Sequence, residues 1–543
     1  MKDFRTCMKG LHALVRPIRG RIALSVILGL VRVAASLTFV WLCKILVDIA
    51  CGQSDRPLGT FTLLLVLVML VQLGARVAYN YWEGLIDVKT RREVRKSLFN
   101  SIMRSSWNGG DKFHSGDAVN RLQEDLRIVL DLLCSRLPDA IITSCQLLAA
   151  SFFLLKLSPS LVWVLLVLMA VAVLGSKLYF GRLRRLTASI RAKDSEIQSY
   201  MQENLLHRPL VLTLFGADKV VDSLEGLQKE YTAFNVSRLG YNAVARAFMG
   251  FGFMGGYAAA FLWGVYGIHS GAVTFGMMTA FLQLVGQVQR PIADMSRHIP
   301  AFINSLTSIE RLMEINELPR EKEGPDDSFD TAPGIRVSGL GFTYPDGVRP
   351  VISGLSYDFR PGTTTVITGR TGAGKSTLVK IMLGLMDPSE GTVEIYDDTR
   401  SSTVSALTRC NFLYVPQGNS LMSGTIRENL LLADPDADEE SMKRALHIAA
   451  ADFVFSLPDG LNTPCREAGG GLSEGQAQRI AIARALLRKG GVLILDEASS
   501  ALDSDTEIQL LDNLAEAFNG KKTIVFISHR DAVSRYADGS LQF

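Results

Sequence analysis

Gly369-Arg370-Thr371-Gly372-Ala373-Gly374-Lys375-Ser376-Thr377 follows directly on an apolar run, residues 363–367, and this junction decides the fold of the carboxyl-terminal part of the chain. The run predicts a strand that delivers the loop, and a helix begins inside the loop. The glycines let the backbone curl so that successive N–H groups point inward at a polyphosphate, and the helix N-terminus adds its positive dipole end. In such a cradle Lys375 reaches the β- and γ-phosphates and the Ser376 hydroxyl faces Mg²⁺. The stretch alone predicts a nucleotide phosphate site without naming a reaction.

Working outward, the chain after residue 334 alternates short β-branched runs (364–368, 392–395, 492–495 and 523–527) with helical segments, the pattern of an α/β domain with a mainly parallel sheet. Val492-Leu-Ile-Leu-Asp496-Glu497 places two carboxylates at the end of a buried strand, where such sheets hold ligands. Asp496 is suited to hold Mg²⁺, directly or through water, and Glu497 to polarise an attacking water. For His529, after the last of those runs, contact with the γ-phosphate and a structural role are both open readings. Before the domain, residues 318–334 are charged and bear Pro and Gly, which reads as a linker.

Composition shows that the nucleotide domain is only part of the protein. Of 543 residues 48% are hydrophobic and 20% charged, with a mean hydropathy of +0.20, too apolar for an ordinary soluble enzyme of this length. The net charge of +3 gives no argument for a nucleic-acid partner. Seven cysteines form neither a C-x-x-C pair nor a metal-ligand spacing, which suits thiols in a reducing compartment.

The apolar mass lies in the first three-fifths of the chain as six runs near the ~20 residues needed to cross a bilayer: 22–49, 60–82, 137–157, 158–180, 243–268 and 273–289. The first is too long for a cleaved signal peptide and stays as an anchor. Lys2, Arg5, Lys9, Arg16, Arg19 and Arg21 put the N-terminus in the cytoplasm, and the Lys- and Arg-rich segments 83–136 and 181–240 then also fall inside. Both show helical periodicity, so the membrane helices are expected to run past the bilayer. Gln283, Gln287 and Arg290 share a face of the last span and Arg32 lies near mid-bilayer in the first; lining a cavity, or snorkelling and pairing, are both open readings for them.

Taken together, Tyr344, the loop 369–377, Tyr414-Val415-Pro416-Gln417, Leu472-Ser473-Glu474-Gly475-Gln476, Leu495-Asp496-Glu497-Ala498 with Ser500-Ala501-Leu502-Asp503, and His529 make the chain resemble the ATP-binding cassette (ABC) transporters. The order of six spans, linker and one cassette resembles a half-transporter of the exporter architecture. The expected fold is an α-helical membrane domain with six transmembrane helices over residues 1–315, a linker over 316–334, and an α/β P-loop nucleotide-binding domain over 335–543. The resemblance implies that Tyr344 stacks on adenine, that residues 369–377 bind ATP, and that Gln417 couples Mg²⁺ and γ-phosphate to the membrane part. It implies Ser376, Gln417 and Asp496 at the metal, and Glu497, His529 and Gln417 in hydrolysis. Ser473, Gly475 and Gln476, in the signature loop, would close over nucleotide held by the partner chain's phosphate loop.

One set of cassette motifs cannot close a two-site sandwich, so the resemblance implies pairing with a second half-transporter, identical or not. The expected protein is a multi-pass ATPase with its cassettes in the cytoplasm, of the bacterial inner-membrane kind, surrounded by lipid, cycling between inward- and outward-facing states to export a small molecule, lipid or peptide. An ATP-gated channel, a regulatory membrane ATPase or an importer of the same architecture would share every cassette motif. Phe113-His114-Ser115-Gly116-Asp117 with Asn120, Arg121 and Asp125 is similar to the first inner segment of such exporters, whose nearby short helix, here about residues 106–113, would touch the cassette; residues 211–216 resemble the second, which docks on the partner chain's cassette, and Glu467 falls in a partial match to the family's cross-talk segment. Glu474 stands where the family most often has glycine. No peptidase domain is expected ahead of the spans, and residues 536–543 end where relatives add further elements.

Overall fold

In lipid a backbone N–H or C=O has no partner but another backbone group, so long apolar runs become helices. The computed structural model describes residues 18–107, 115–157, 159–344, 347, 349–370, 372–465 and 471–543. The expectations for Thr371, Glu467 and most of residues 106–114 therefore lie outside the described residues. The chain divides into two compact units, residues 1–98 with 119–314 and residues 99–118 with 315–543.

In the first unit the described residues form six long helices: α1 (Arg19–Ala50), α2 (Leu58–Met103), α3 (Gly116–Leu157), α4 (Pro159–Leu206), α6 (Ala217–His269) and α7 (Phe275–Asn316), with a short α5 (Arg208–Thr213) between α4 and α6. The six apolar runs of the sequence fall on these helices to within two residues. Four of them, α1, α2, α3 and α6, hold stretches of mean hydropathy 2.1, 2.2, 1.8 and 1.3. At 46, 48 and 53 residues, α2, α4 and α6 far exceed a bilayer's thickness, as the helical periodicity of the charged segments predicts.

Polar groups fix these helices to one another where the apolar surfaces alone would slide. Arg21 of α1 pairs with Glu93 of α2 at 2.9 Å, and the Tyr79 hydroxyl of α2 donates to Asp139 of α3 at 2.7 Å. Near the start of α7 the Gly276 N–H donates to Asp48 of α1 at 3.0 Å, and a methyl group at Gly276 would sit 2.3 Å from both the Asp48 carboxylate and the Lys44 carbonyl. Only glycine permits that approach. α3 contains two π-helical turns, Arg121–Asp125 and Leu132–Arg136. The first turns buried Arg121 and Asp125 onto α7, where Arg121 donates to the Arg311 carbonyl at 2.8 Å and to Glu314 at 2.7 Å, and Ser308 donates to Asp125 at 2.7 Å. Such turns re-aim side chains that a regular helix would place elsewhere.

The second unit is built on two sheets. One is antiparallel, in the order β2-β1-β4-β5, from β1 (Gly334–Phe342), β2 (Ile352–Phe359), β4 (Glu390–Tyr396) and β5 (Ser401–Thr403). The other is wholly parallel, in the order β11-β3-β10-β9-β6, from β3 (Thr364–Thr368), β6 (Phe412–Val415), β9 (Val492–Asp496), β10 (Thr523–Ile527) and β11 (Gly539–Gln542). Every residue of β9 and β10 is buried, which is why these strands read as continuous apolar runs rather than alternating ones. A two-residue ladder joins β7 (Gly424–Thr425) to β8 (Pro464–Cys465).

Side chains alternate across the parallel sheet. Val366, Leu413, Leu495 and Phe526 face one core, shared with α10 (Glu439–Ile448), α11 (Glu474–Leu487) and α12 (Ser504–Phe518), while Ile367, Phe412, Ile494 and Val525 face another, shared with α8 (Lys375–Met382) and the antiparallel sheet. α9 (Ile426–Leu431) starts at a reciprocal cap between Thr425 and Glu428. Residues 318–334 lie along this unit. Arg409 holds Glu321 at 2.8 Å, Arg400 holds Asp327 at 2.7 Å, and Asn411 both accepts from the Phe329 N–H at 2.7 Å and donates to the Asp327 carbonyl at 2.8 Å. The stretch before residue 108 joins the same unit: the Ser106 N–H donates to the Pro319 carbonyl at 2.8 Å, and the Lys380 ammonium lies 4.7 Å from the Trp107 ring centre.

Candidate functional site

Parallel strands all end on one side, and register decides what they carry there. Ile527 is aligned with Ile367 and with Asp496, and Val415 with Leu495, so β3, β10, β9 and β6 run out at one level. Just past that level come Gly369, Ser528-His529, Glu497 and Gln417, four groups separated by up to 160 residues in the chain. The loop after β3 needs its glycines: Gly369, Gly372 and Gly374 have φ of 145°, 82° and 107°, conformations that other L-residues avoid. A side chain at Gly369 would also strike Phe543, whose Cβ lies 2.7 Å from where it would start.

The Lys375 ammonium donates to the Gly369 carbonyl at 2.6 Å and to His529 Nε2 at 2.7 Å. Because an ammonium can only donate, Nε2 accepts and the imidazole proton sits on Nδ1. Gln417 donates its amide to Glu497 at 2.6 Å, and His529 Nε2 lies 3.8 Å from the other Glu497 oxygen. Glu497 has φ of +49°, which is costly for a residue that carries a Cβ and is fixed here by its N–H bond to the Ile527 carbonyl at 3.0 Å. Lysine, histidine, glutamine and glutamate thus form one chain of contacts at the strand ends.

Asp496 is buried, and burial pushes its carboxyl above the usual range, with the like charge of Glu497 adding to the push; hydrogen bonds from Tyr414 and Ser376 oppose it. Ser376 and Asp496 bring two oxygen donors together, which suits a hard cation such as Mg²⁺. Among the described residues no cluster of three or more His, Cys, Asp or Glu side chains stands ready as a metal cage. An ion here would take its remaining ligands from phosphate and water. The Tyr344 and Thr377 hydroxyls share a hydrogen bond at 3.1 Å, and the Tyr344 ring meets Phe342 in an edge-to-face pair at 5.0 Å.

The signature stretch opens α11. Ser473 caps the helix by accepting from the Gln476 N–H at 3.2 Å, and the Gln476 side chain accepts from the Ser473 N–H at 2.9 Å. The Gln476 side-chain oxygen is thereby engaged in capping. Gly475 is needed for packing as well, since a methyl group there would lie 2.8 Å from the Ala501 carbonyl. Ser473 and Glu474 are exposed at the helix start. Ser473→Ala removes the cap at a cost of about 1 kcal/mol, so the heat-unfolding midpoint of the cassette drops by about 2–4 °C; an unchanged midpoint in differential scanning calorimetry rules this out.

Comparison with known proteins follows the same division of the chain. The family model "ABC transporter transmembrane region" matches residues 22–292, and the model "ABC transporter" matches residues 352–500. The chain belongs to the ABC transporter family. Among curated relatives of this ABC transporter, YgaD of Bacillus subtilis (strain 168), provisionally named a multidrug export ATP-binding/permease protein, is 26% identical, with 98% of this chain and 93% of YgaD covered. The mycobactin import ATP-binding/permease protein IrtB of Mycobacterium tuberculosis is 36% identical over 50% of this chain and 47% of IrtB. The structure of a bacterial Atm1-family ABC exporter with ATP bound superposes with a TM-score of 0.80 at 22% identity, covering 97% of this chain and 93% of the other. The fold is therefore that of a half-transporter of exporter architecture, a multi-pass membrane protein that binds ATP, couples its hydrolysis to transport and pairs with another half.

Several residues of the ABC transporter's cassette escape sequence reading. Arg530 donates to Glu507 at 2.9 Å and to the carbonyls of Leu502 at 2.9 Å and Ser500 at 2.8 Å, so it clamps the turn 500–503. Ser499 completes the clamp by donating to Glu507 at 2.6 Å. Gln478 of α11 donates to the Ser500 hydroxyl and accepts from the Ala501 N–H, both at 3.3 Å, and Arg484 of the same helix donates to the Ser420 carbonyl at 2.9 Å and hydroxyl at 2.7 Å. The available signals were a carboxylate on the buried face of α12 and an arginine directly after His529. In the membrane unit the turn after α5 is apolar and bare: Phe215 is 94% exposed at φ of +51°, beside exposed Leu210, Leu212 and Leu214.

Proposed function

We propose that this chain is one half of a dimeric exporter in a bacterial cell membrane, in which two Mg²⁺-ATP molecules join the cassettes and hydrolysis releases them. The observation that carries the reading is the chain of contacts from Lys375 through His529 to Glu497 and Gln417 at the carboxyl ends of the parallel strands. In this reading the residues of 369–377 hold the phosphates, Tyr344 takes the adenine, and Ser376 with Asp496 and Gln417 holds Mg²⁺, which supplies charge neutralisation at the phosphates. Phosphate draws the Lys375 ammonium away from the Gly369 carbonyl and His529, and once the ring proton has moved from Nδ1 to Nε2 the freed His529 Nε2–H donates to the γ-phosphate. Glu497 then orients and deprotonates water while Gln417 reports the event by leaving it. Ser473 and Gly475, at the exposed start of α11, meet the nucleotide of the partner chain, and the bare apolar turn around Phe215 supplies a docking knob for the partner's cassette. Because nucleotide biases only an equilibrium whose states bind it unequally, closing the cassettes is what moves the membrane helices.

Vesicles test the proposal. Inside-out and right-side-out vesicles containing the full assembly are given carboxyfluorescein, an NBD-labelled lysolipid and a labelled hexapeptide, with ATP or a non-hydrolysable analogue. Uphill accumulation in the inside-out set with ATP alone is expected. Passage only down the gradient would mean a gated pore, and accumulation in the right-side-out set would mean import.

A further inference from the structure

The membrane unit holds a half-open cavity of about 540 Å³ whose wall comes from four of its helices, α1, α2, α3 and α7. Three guanidinium groups line it, Arg32 of α1, Arg76 of α2 and Arg290 of α7, against one carboxylate, Asp294, so the wall carries an excess of two positive charges. They occur at one depth. Arg32 precedes the outer end of α1 by 18 residues, Arg76 follows that of α2 by 18 and Arg290 follows that of α7 by 15, which at helical rise is about 22–27 Å in each case. In a hydrocarbon core about 30 Å thick that level is inside the membrane, about 3–8 Å from its cytoplasmic boundary.

Such placement is expensive unless something answers the charge. Among the described residues none of the three arginines makes an ion pair, and Arg32 is recorded only above the ring of Tyr79, at 5.1 Å. Thr143 and Gln146 add neutral hydrogen-bonding groups, and Val33, Phe39 and Met69 add an apolar wall. Guanidinium forks match the oxygens of a carboxylate or phosphate, and the apolar wall matches a hydrocarbon tail beside them. The volume suits a head group with the first part of a chain.

We infer that this cavity is the substrate site and that it takes an anionic amphiphile, a molecule with a carboxylate or phosphate head and an apolar body. The inference rests on the transporter reading above and names the class of molecule that the membrane half would accept. The guanidinium cluster pulls the head into the cavity, and the same cluster discriminates against cationic and zwitterionic molecules of equal tail.

The test is equilibrium binding, without nucleotide, to the full assembly in phosphatidylcholine nanodiscs, using palmitoyl lysophosphatidate, palmitoyl lysophosphatidylcholine and glycerol 3-phosphate. Lysophosphatidate is expected to bind at least tenfold tighter than either of the others. The Arg76→Gln/Arg290→Gln variant, altered at two exposed positions, is expected to lose that preference, and Arg76→Lys/Arg290→Lys to keep it. Equal affinity for the two lysolipids overturns the inference, as does an unaltered preference in the glutamine variant. Glycerol 3-phosphate binding as tightly as lysophosphatidate overturns it too, by showing a small-anion site. No ATP turnover enters this measurement, so a charge preference found alongside failed uptake would fell the transporter reading and leave the cavity's specificity standing.

Discussion

Glu497→Gln lowers ATP turnover of the assembled transporter by about 10²–10⁴-fold, the range a general base supplies, while nucleotide still binds. The substitution keeps the size of the side chain and the N–H bond to the Ile527 carbonyl that fixes its backbone at φ of +49°. What it removes is the carboxylate that Gln417 donates to and that stands 3.8 Å from His529. Two amides then face each other, and one must rotate to keep a bond. Single-turnover hydrolysis together with an ATP-binding isotherm checks the result: lost turnover with retained affinity is expected, and turnover within threefold of the unaltered protein would show that water is activated elsewhere.

Arg530→Met destabilises the cassette by about 2–4 kcal/mol, because removing one partner leaves a buried charge uncompensated. Glu507 is 3% exposed and retains only Ser499, while the carbonyls of Ser500 and Leu502 lose their donor. The figure lies below that for a fully buried pair because the Arg530 side chain is 37% exposed. Calorimetry of the full chain, following the cassette transition, reads the loss directly. The double variant Arg530→Met/Glu507→Met is expected to recover part of it, since no lone charge remains. A single-variant loss under about 0.5 kcal/mol would mean that the clamp is solvated in the folded state.

The parallel sheet was legible in the sequence because β9 and β10 are buried on both faces and therefore read as unbroken apolar runs. The strand-end residues were legible for the same reason: once the strands are placed, topology gathers Gly369, Gln417, Glu497 and His529 on one side whatever their spacing. The bonds that hold them were not. Whether Lys375 points at His529, or Gln476 at its own cap, depends on rotamers that no spacing encodes. The S-x-x-Q spacing of Ser473 and Gln476 did hold the capping signal, but the resemblance directed attention to nucleotide. Residues 318–334 show the limit of composition. Charge, Pro and Gly suggest a spacer, yet Glu321, Asp327 and Phe329 each have a fixed partner in Arg409, Arg400 and Asn411 that lies over 70 residues away in sequence. The arginine cluster of the membrane cavity was only partly visible, since Arg76 joins Arg32 and Arg290 through tertiary packing alone.

α11 has a consequence beyond its cap. Its 14 residues span about 21 Å and do not stretch. Gln478 ties its middle to the turn 500–503, and Arg484 ties its far end to Ser420, three residues from Gln417. In the dimer proposed above, a partner's nucleotide that tugged on the Ser473 end would haul Gln417's loop with it, so each protomer would sense the fuel lodged in its neighbour through a rod it owns itself.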